Sequence, residues 1–233
     1  MIGQWGALIQ RLRAGVDAEF ASLTADERAS LRVLELAPSL LTPLGLARDE
    51  LTHSRLLAWF LSRLDAVGEA CRRSFLERVG LAAPAQGWRV SRERDLGAHG
   101  RLDLHIDVPG AALIYVEVKI DAPERENQLR DYRAHLDEVQ HGWPSSRLVF
   151  LTVDGRRGTG DAEHQHLGFG DLVAAWLPHA TGNDPTAVYL AGWLACLARD
   201  VLRQAGEGDA AEWSLARRRS GLRLLGPTGR SRG

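Results

Sequence analysis

The sequence predicts an α/β fold: a mixed central sheet flanked by helices, with a helical region at the N-terminal end. Two changes in the spacing of apolar residues predict it. Apolar residues recur at helical spacing up to about Gly80, and from about Trp88 they alternate with polar residues as in half-buried strands. Helical spacing returns after Ile120. The length of 233 residues fits one substantial domain with a helical appendage.

The N-terminal part is predicted to be helical throughout. Helical spacing runs through residues 2–36, and a second helix is predicted over 53–64 with Thr52 as its N-cap. A third helix is predicted over 69–78. Residues 1–80 are therefore assigned to a helical region that packs on the core. The expected buried face of the second helix consists of Leu56, Leu57, Phe60, Leu61 and Leu64.

Two consecutive strands are predicted in the middle of the chain. Residues 101–108 alternate strictly, and after the turn at Pro109–Gly110 a second strand covers 112–120. One face of this pair is apolar and the other is polar. The apolar positions are Leu102, Leu104, Ile106, Val108, Ile114, Val116, Val118 and Ile120, and the opposite positions are Arg101, Asp103, His105, Asp107, Tyr115, Glu117 and Lys119.

The remaining elements complete a core over residues 81–205, entered through a Pro-, Gly- and Ala-rich linker. The predicted elements are a strand at 88–94, a helix at 123–139, a strand at 147–153, a Gly-rich loop to Gly168, and helices at 171–177 and 187–202. The core should therefore run in the order helix, three strands, helix, strand. His164-Gln165-His166 is assigned to the loop rather than to a metal site, since no carboxylate partner stands at fixed spacing.

Charge is unevenly distributed along the chain. The net charge is −1, without the basic excess of proteins that coat DNA, which counts against a nucleic-acid partner. Residues 206–233 nevertheless form a predicted disordered basic tail with six arginines and no acid after Ala216. The tail either contacts phosphates or is only solvated. If it contacts phosphates, it should raise affinity without adding sequence preference.

The chain is expected to be soluble and cytoplasmic. It begins without a signal-like segment and contains no run of about 18 apolar residues. Cys71 and Cys196 are far apart and each lies beside apolar residues, so both are predicted to be buried reduced thiols.

Lys119 is the only lysine among the 29 basic side chains, and the other 28 are arginines. Where either cation would serve, this chain uses arginine. A single lysine therefore points to a position that needs a compact, titratable ammonium group.

Asp103, Glu117 and Lys119 form the candidate site. If Val108 pairs with Ala112 across a three-residue loop, Asp103 lies opposite Glu117, and Lys119 projects from the same face. Two carboxylates on rigid strands are the ligands that Mg²⁺ prefers, and a metal-bound water can attack a phosphodiester. The alternative is that these three residues only form a solvated face of the sheet.

These residues resemble the motif of the PD-(D/E)XK nuclease superfamily. Asp103 precedes Glu117-Val118-Lys119, with Leu102 in the position of the named proline. Gln128 and Tyr132 resemble a Gln-x-x-x-Tyr element of these nucleases, and residues 50–54, Glu-Leu-Thr-His-Ser, resemble an upstream helix of a bacterial subgroup. The resemblance spans about residues 50–176.

The resemblance implies a restriction-endonuclease-like fold and a metal-dependent nuclease that uses Mg²⁺, with Mn²⁺ able to substitute. It implies that Asp103, Glu117, the carbonyl of Val118 and Glu50 hold the metal, Glu50 either directly or through water. Lys119 would orient the attacking water. Gln128 and Tyr132 would position the site or the substrate phosphate. The alternatives are that Glu50 is only a first-turn acid favoured by the helix dipole, and that Tyr132 only fills the core.

Three functions remain open. The favoured one is an active nuclease, with DNA favoured over RNA as its substrate. The second is a non-cleaving nucleic-acid-binding or regulatory module. The third is a subunit licensed by a protein partner, for instance in bacterial defence against phage. A homodimer stays open, and no membrane partner is expected.

Overall fold

A computed structural model describes residues 33–34, 37–39, 41–159 and 162–202 of the protein. Most of the predicted first helical segment, residues 2–36, lies outside these residues. The whole predicted tail, residues 206–233, also lies outside them. Within the described residues, no helix is long and apolar enough to cross a membrane.

The central sheet has five strands in the order β1-β2-β3-β4-β5. Their bounds are β1 Arg89–Asp95, β2 Arg101–Val108, β3 Ala112–Lys119, β4 Ser145–Thr152 and β5 Gln165–Gly168. The first three strands are antiparallel, whereas β3, β4 and β5 run parallel to one another. The predicted mixed sheet of a restriction-endonuclease-like α/β fold is therefore confirmed. Strand β5 was missed, because four residues inside a Gly-rich segment give too short a pattern to recognise.

Five α-helices that lie wholly within the described residues pack around the sheet. They are α1 Glu50–Ser62, α2 Ala66–Arg78, α3 Gln128–Val139, α4 Phe169–Trp176 and α5 Pro185–Cys196. The predicted C-terminal helix is not uniform, because residues 197–202 after α5 are π-helical.

Helix α1 begins three residues earlier than predicted. Asp49, not Thr52, is the N-cap, and its carboxylate accepts the backbone N–H of Thr52 at 2.7 Å. Glu50 is therefore the first residue of the helix. The helix ends at Ser62, so Leu64 lies beyond it and is 94% exposed rather than buried as predicted.

Helix α3 begins five residues later than predicted. Residues 121–127 form a loop, and Asn127 precedes the helix in the left-handed conformation with φ of 59°. Gln128 consequently occupies the first position of α3. Pro123 lies in the loop and not in the first turn of the helix.

Two apolar clusters cover the two faces of the sheet. The larger joins α1, α2, α4 and α5 to one face, and the smaller packs α3 against the other. Leu104, Ile106 and Val108 belong to the larger cluster as predicted, but Leu102 packs in the smaller one. The strict alternation of β2 therefore breaks between Leu102 and Leu104. Cys71 and Cys196 are both buried and free, as predicted.

Burial lowers the pKa of four histidines, His53, His105, His135 and His179. His179 lies beyond the end of α4 and bonds to Ser74 of α2 at 3.0 Å. As the pH falls, the imidazole of His179 in the unfolded chain takes up a proton near pH 6.5. In the folded protein it takes up this proton only at a lower pH. The contribution of His179 to the free energy of unfolding should thus be complete above pH 6.5. It should decrease as the pH drops towards the lower pKa of the folded state.

We expect His179→Gln to remove the part of this decrease in the free energy of unfolding that protonation of His179 causes. Urea unfolding of the parent and the variant between pH 7.5 and 5.0 measures it, and the difference between the two proteins isolates His179 from the other titrating groups. A constant difference across this range would contradict the expectation.

Candidate active site

The pairing of β2 with β3 stops next to the predicted acidic pair. The register runs from Val108 opposite Ala112, as predicted, to Leu104 opposite Val116. Beyond that pair the backbone N–H of Val118 donates to Asp103 Oδ2 at 2.8 Å. The Asp103 carboxylate thus accepts a backbone hydrogen bond where the pairing of the two strands has ended. This bond holds Asp103 against the strand that carries Glu117.

Lys119 joins the two glutamates. Its Nζ donates to Glu117 Oε1 at 2.6 Å and to Glu50 Oε1 at 3.2 Å, so these two oxygens lie no more than two hydrogen-bond lengths apart. The other oxygen of Glu50 accepts the backbone N–H of Ile120 at 3.0 Å. Helix α1 therefore presents its first residue to the end of β3, and the structure brings Glu50 to the site.

Gln128 and Tyr132 form a second row behind Glu117. Gln128 Nε2 donates to Glu117 Oε1 at 2.6 Å and to the Tyr132 hydroxyl at 3.0 Å. The Tyr132 hydroxyl in turn donates to the carbonyl of Arg101. The ring of Tyr132 is also buried in the smaller cluster, so its core packing and its hydrogen bonding occur together. This row fixes the orientation of the Glu117 carboxylate.

The carboxylates are held in an environment that disfavours their charge. Burial and the nearby charge of Asp103 raise the pKa of Glu117 to about 8, despite the opposing ammonium of Lys119. Burial likewise raises the pKa of Asp103 to about 6. Burial lowers the pKa of Lys119, but the negative charges of Glu117, Glu50 and Asp103 outweigh it and raise this pKa overall. Three acids therefore share one ammonium.

The donor set fits a hard divalent cation. Glu117 Oε2 is buried and has no hydrogen-bond partner among the described residues, a costly state for a carboxylate oxygen that a cation would relieve. No three His, Cys, Asp or Glu side chains of those residues stand in a ready metal-binding arrangement. Because Lys119 bonds both glutamates, an ion held by all three acids would require Lys119 to move.

Two further features near the site were not predicted from the sequence. Glu93 in β1 adopts a φ of 50°, rare for a residue other than glycine, and its charge contributes to the raised pKa of Asp103. Arg48 donates to Asp121 Oδ2 at 2.8 Å and to the carbonyls of Asp200 and Val201. Arg48 thus ties the end of β3 to the C-terminal helix. No local pattern signals such long-range contacts.

Comparison with known proteins gives one positive result. The model of the PD-(D/E)XK nuclease superfamily matches residues 40–205, well over half of the chain. No curated protein and no solved structure matches the chain. The matched range contains all five strands, α1 and the acidic cluster around Lys119. The chain therefore belongs to the PD-(D/E)XK nuclease superfamily.

Proposed function

We propose that the protein is a Mg²⁺-dependent nuclease that hydrolyses phosphodiester bonds of DNA. The observation that carries the proposal is the cluster of Glu50, Asp103 and Glu117 around the buried Lys119, in which the buried Glu117 Oε2 has no partner among the described residues. A largely buried group of this kind stabilises the fold poorly, since three carboxylates share one cation. Its arrangement suits a site that receives a further cation.

Asp103 and Glu117 would hold the ion, together with the carbonyl of Val118, and Glu50 would complete its surroundings directly or through water. The bound ion would neutralise charge at the phosphate and lower the pKa of a water. Lys119 would orient that water and stabilise the charge that develops on the phosphate oxygens. Gln128 would keep Glu117 in its orientation, and Tyr132 would keep Gln128 in place.

Lys119 would act as a positive charge rather than as a base. The sequence allowed an ammonium that sheds its proton on burial, but the surrounding acids raise its pKa instead. A charged ammonium can hold water or a phosphate oxygen by donating hydrogen bonds, and while it is charged it has no lone pair with which to accept a proton.

Purified protein should cut plasmid DNA with Mg²⁺ or Mn²⁺ and not with EDTA. Parallel incubations with single-stranded DNA and RNA define the substrate class, and we expect DNA to be the better substrate. Asp103→Asn should abolish the activity, because it removes a carboxylate charge from the proposed metal site.

Two outcomes would count against this function. If the protein binds DNA but cuts none of the three substrates with either metal, it is the non-cleaving binding module. If Asp103→Asn cuts as fast as the parent, the measured activity belongs to a contaminant or to another site.

A further inference from the structure

The loop that follows β4 leaves the sheet beside the candidate site. Strands β3 and β4 are parallel, and Lys119 is paired with Thr152, the last residue of β4. Residues 154–159 therefore extend from the same end of these strands as the acidic cluster. This loop was predicted only as part of a Gly-rich connection, and the proposed reaction assigns it no role.

The first part of the loop is fixed by local contacts. Asp154 Oδ1 accepts the backbone N–H of Arg156 at 3.2 Å and the hydroxyl of Thr152 at 3.3 Å. Gly155 has a φ of 70°, and a Cβ there would lie 3.2 Å from the backbone nitrogen of Gly168. The turn thus packs directly on the end of β5, and both the crowding and the positive φ favour glycine at this position.

The second part of the loop lies on α3. A Cβ on Gly158 would lie 2.0 Å from Leu129 Cδ1, so any other residue there would force this buried leucine to shift. The backbone N–H of Gly158 also donates to His164 Nε2 at 3.1 Å. The loop is therefore held at both ends, and the residues between its anchors have a defined position.

A chain of hydrogen bonds and covalent neighbours joins the loop to the catalytic cluster. The backbone N–H of Thr159 donates to Glu124 Oε2 at 2.6 Å. The next residue, Arg125, donates its backbone N–H to Gln128 Oε1 at 3.1 Å. Gln128 bonds Glu117 directly. The loop consequently rests on the segment that positions Glu117.

Arg156 and Arg157 lie between the two anchors and are both exposed. Neither guanidinium has a hydrogen bond or an ion pair with any residue that the structure describes. Three other arginines around the site each face a carboxylate: Arg48 faces Asp121, Arg101 faces Glu93, and Arg125 faces Asp131. A fixed loop thus presents two arginine side chains beside an acidic site, neither of them paired with a described residue.

We propose that residues 154–159 form a phosphate-binding loop, in which Arg156 and Arg157 bind backbone phosphates of the nucleic-acid strand that enters the site. This inference rests on the proposed nuclease function and adds the substrate contact. Guanidinium groups bind phosphate through two parallel hydrogen bonds, and a loop that is already ordered loses little entropy on binding. Phosphate contacts carry no base information, so the loop positions any sequence equally.

The test compares two full-length variants that lose the same charge. One is the double variant Arg156→Gln, Arg157→Gln. The control is Arg73→Gln, Arg78→Gln on α2, which packs mainly against α1, α4 and α5 among the described elements. Binding of labelled duplex DNA is measured with Ca²⁺ over a salt series, and cleavage is measured separately with Mg²⁺.

We expect the loop variant to lower the slope of log affinity against log salt by about 2, because each lost phosphate contact contributes about 0.9. Its KM should rise about tenfold or more, while kcat should stay within about twofold, since the residues around the reacting phosphate are unchanged. The control should keep the parental slope and KM. A third variant, Arg156→Lys with Arg157→Lys, should retain the slope because it retains the charge.

The binding and cleavage measurements separate the two proposals. If the parent binds DNA and the loop variant has a lower salt slope, but the parent never cuts, the proposed loop is supported and the nuclease function is refuted. A parent that cuts while the loop variant keeps its slope and KM refutes the loop alone. Equal losses in the loop and control variants would show a general effect of net charge, which also overturns the inference.

Discussion

Lys119→Arg is expected to reduce DNA cleavage by about a hundredfold or more while metal binding persists. The ammonium of Lys119 fits between Glu117 and Glu50, at 2.6 and 3.2 Å from their oxygens, in a side chain that is 9% exposed. A guanidinium keeps the charge, but it is wider and planar. It therefore crowds the water that the site is proposed to hold, whereas metal binding persists because Lys119 is not one of the proposed metal ligands.

Calorimetric titration with Mn²⁺ and plasmid nicking, at matched pH and metal concentration, measure the two effects separately. Asp103→Asn is the control that should lose metal binding and cleavage together. Cleavage by Lys119→Arg at the parental rate would mean that any cation suffices. In that case the single lysine among 28 arginines would reflect composition and not chemistry.

The sequence predicted the central pair of strands because their signals are local. Alternation and a short turn set the register of Val108 with Ala112, and that register carries Glu117 and Lys119 to one face. The positions of Glu50 and Gln128 came from the family resemblance alone. Their contacts with Lys119 and Glu117 join segments that are 69 and 11 residues apart in sequence.

The features that were missed depend on such distant contacts. Leu102 changes face where the pairing of β2 with β3 ends, and Glu93 adopts its left-handed conformation in the strand opposite. Strand β5 exists because it can pair with β4, not because its own four residues favour a strand. The loop at residues 121–127 similarly replaced a predicted helical turn, although Pro123 is compatible with the start of a helix.

His53 is the clearest case of a residue whose role only the structure reveals. It is fully buried, and its two ring nitrogens both have partners: Nε2 lies 2.8 Å from the carbonyl of Ala47, and Nδ1 accepts the indole N–H of Trp193 at 3.0 Å. A carbonyl only accepts and an indole only donates, so these partners fix one neutral tautomer. His53 thereby fastens the first turn of α1, which carries Glu50, to α5.

We expect His53→Leu to lower the free energy of unfolding by about 2–3 kcal/mol, because the Ala47 carbonyl and the Trp193 indole lose their buried partner. Cleavage should fall on the order of tenfold, since a displaced α1 moves Glu50 away from Lys119 and Ile120. Trp193→Phe is the milder variant, because it removes only the N–H donor and keeps a ring that can stack on Phe60. Urea unfolding and plasmid cleavage are measured for both.

A double-mutant cycle with Glu50→Gln distinguishes positioning from general loss of stability. If His53 acts on cleavage through Glu50, its replacement should have little further effect on cleavage in the Glu50→Gln background, while its effect on unfolding should remain. Cleavage losses that add fully in the double variant would show that the buried imidazole supports the fold and not the placement of Glu50. The milder Trp193→Phe variant, taken through the same cycle, gives this result even where His53→Leu is too unstable to assay.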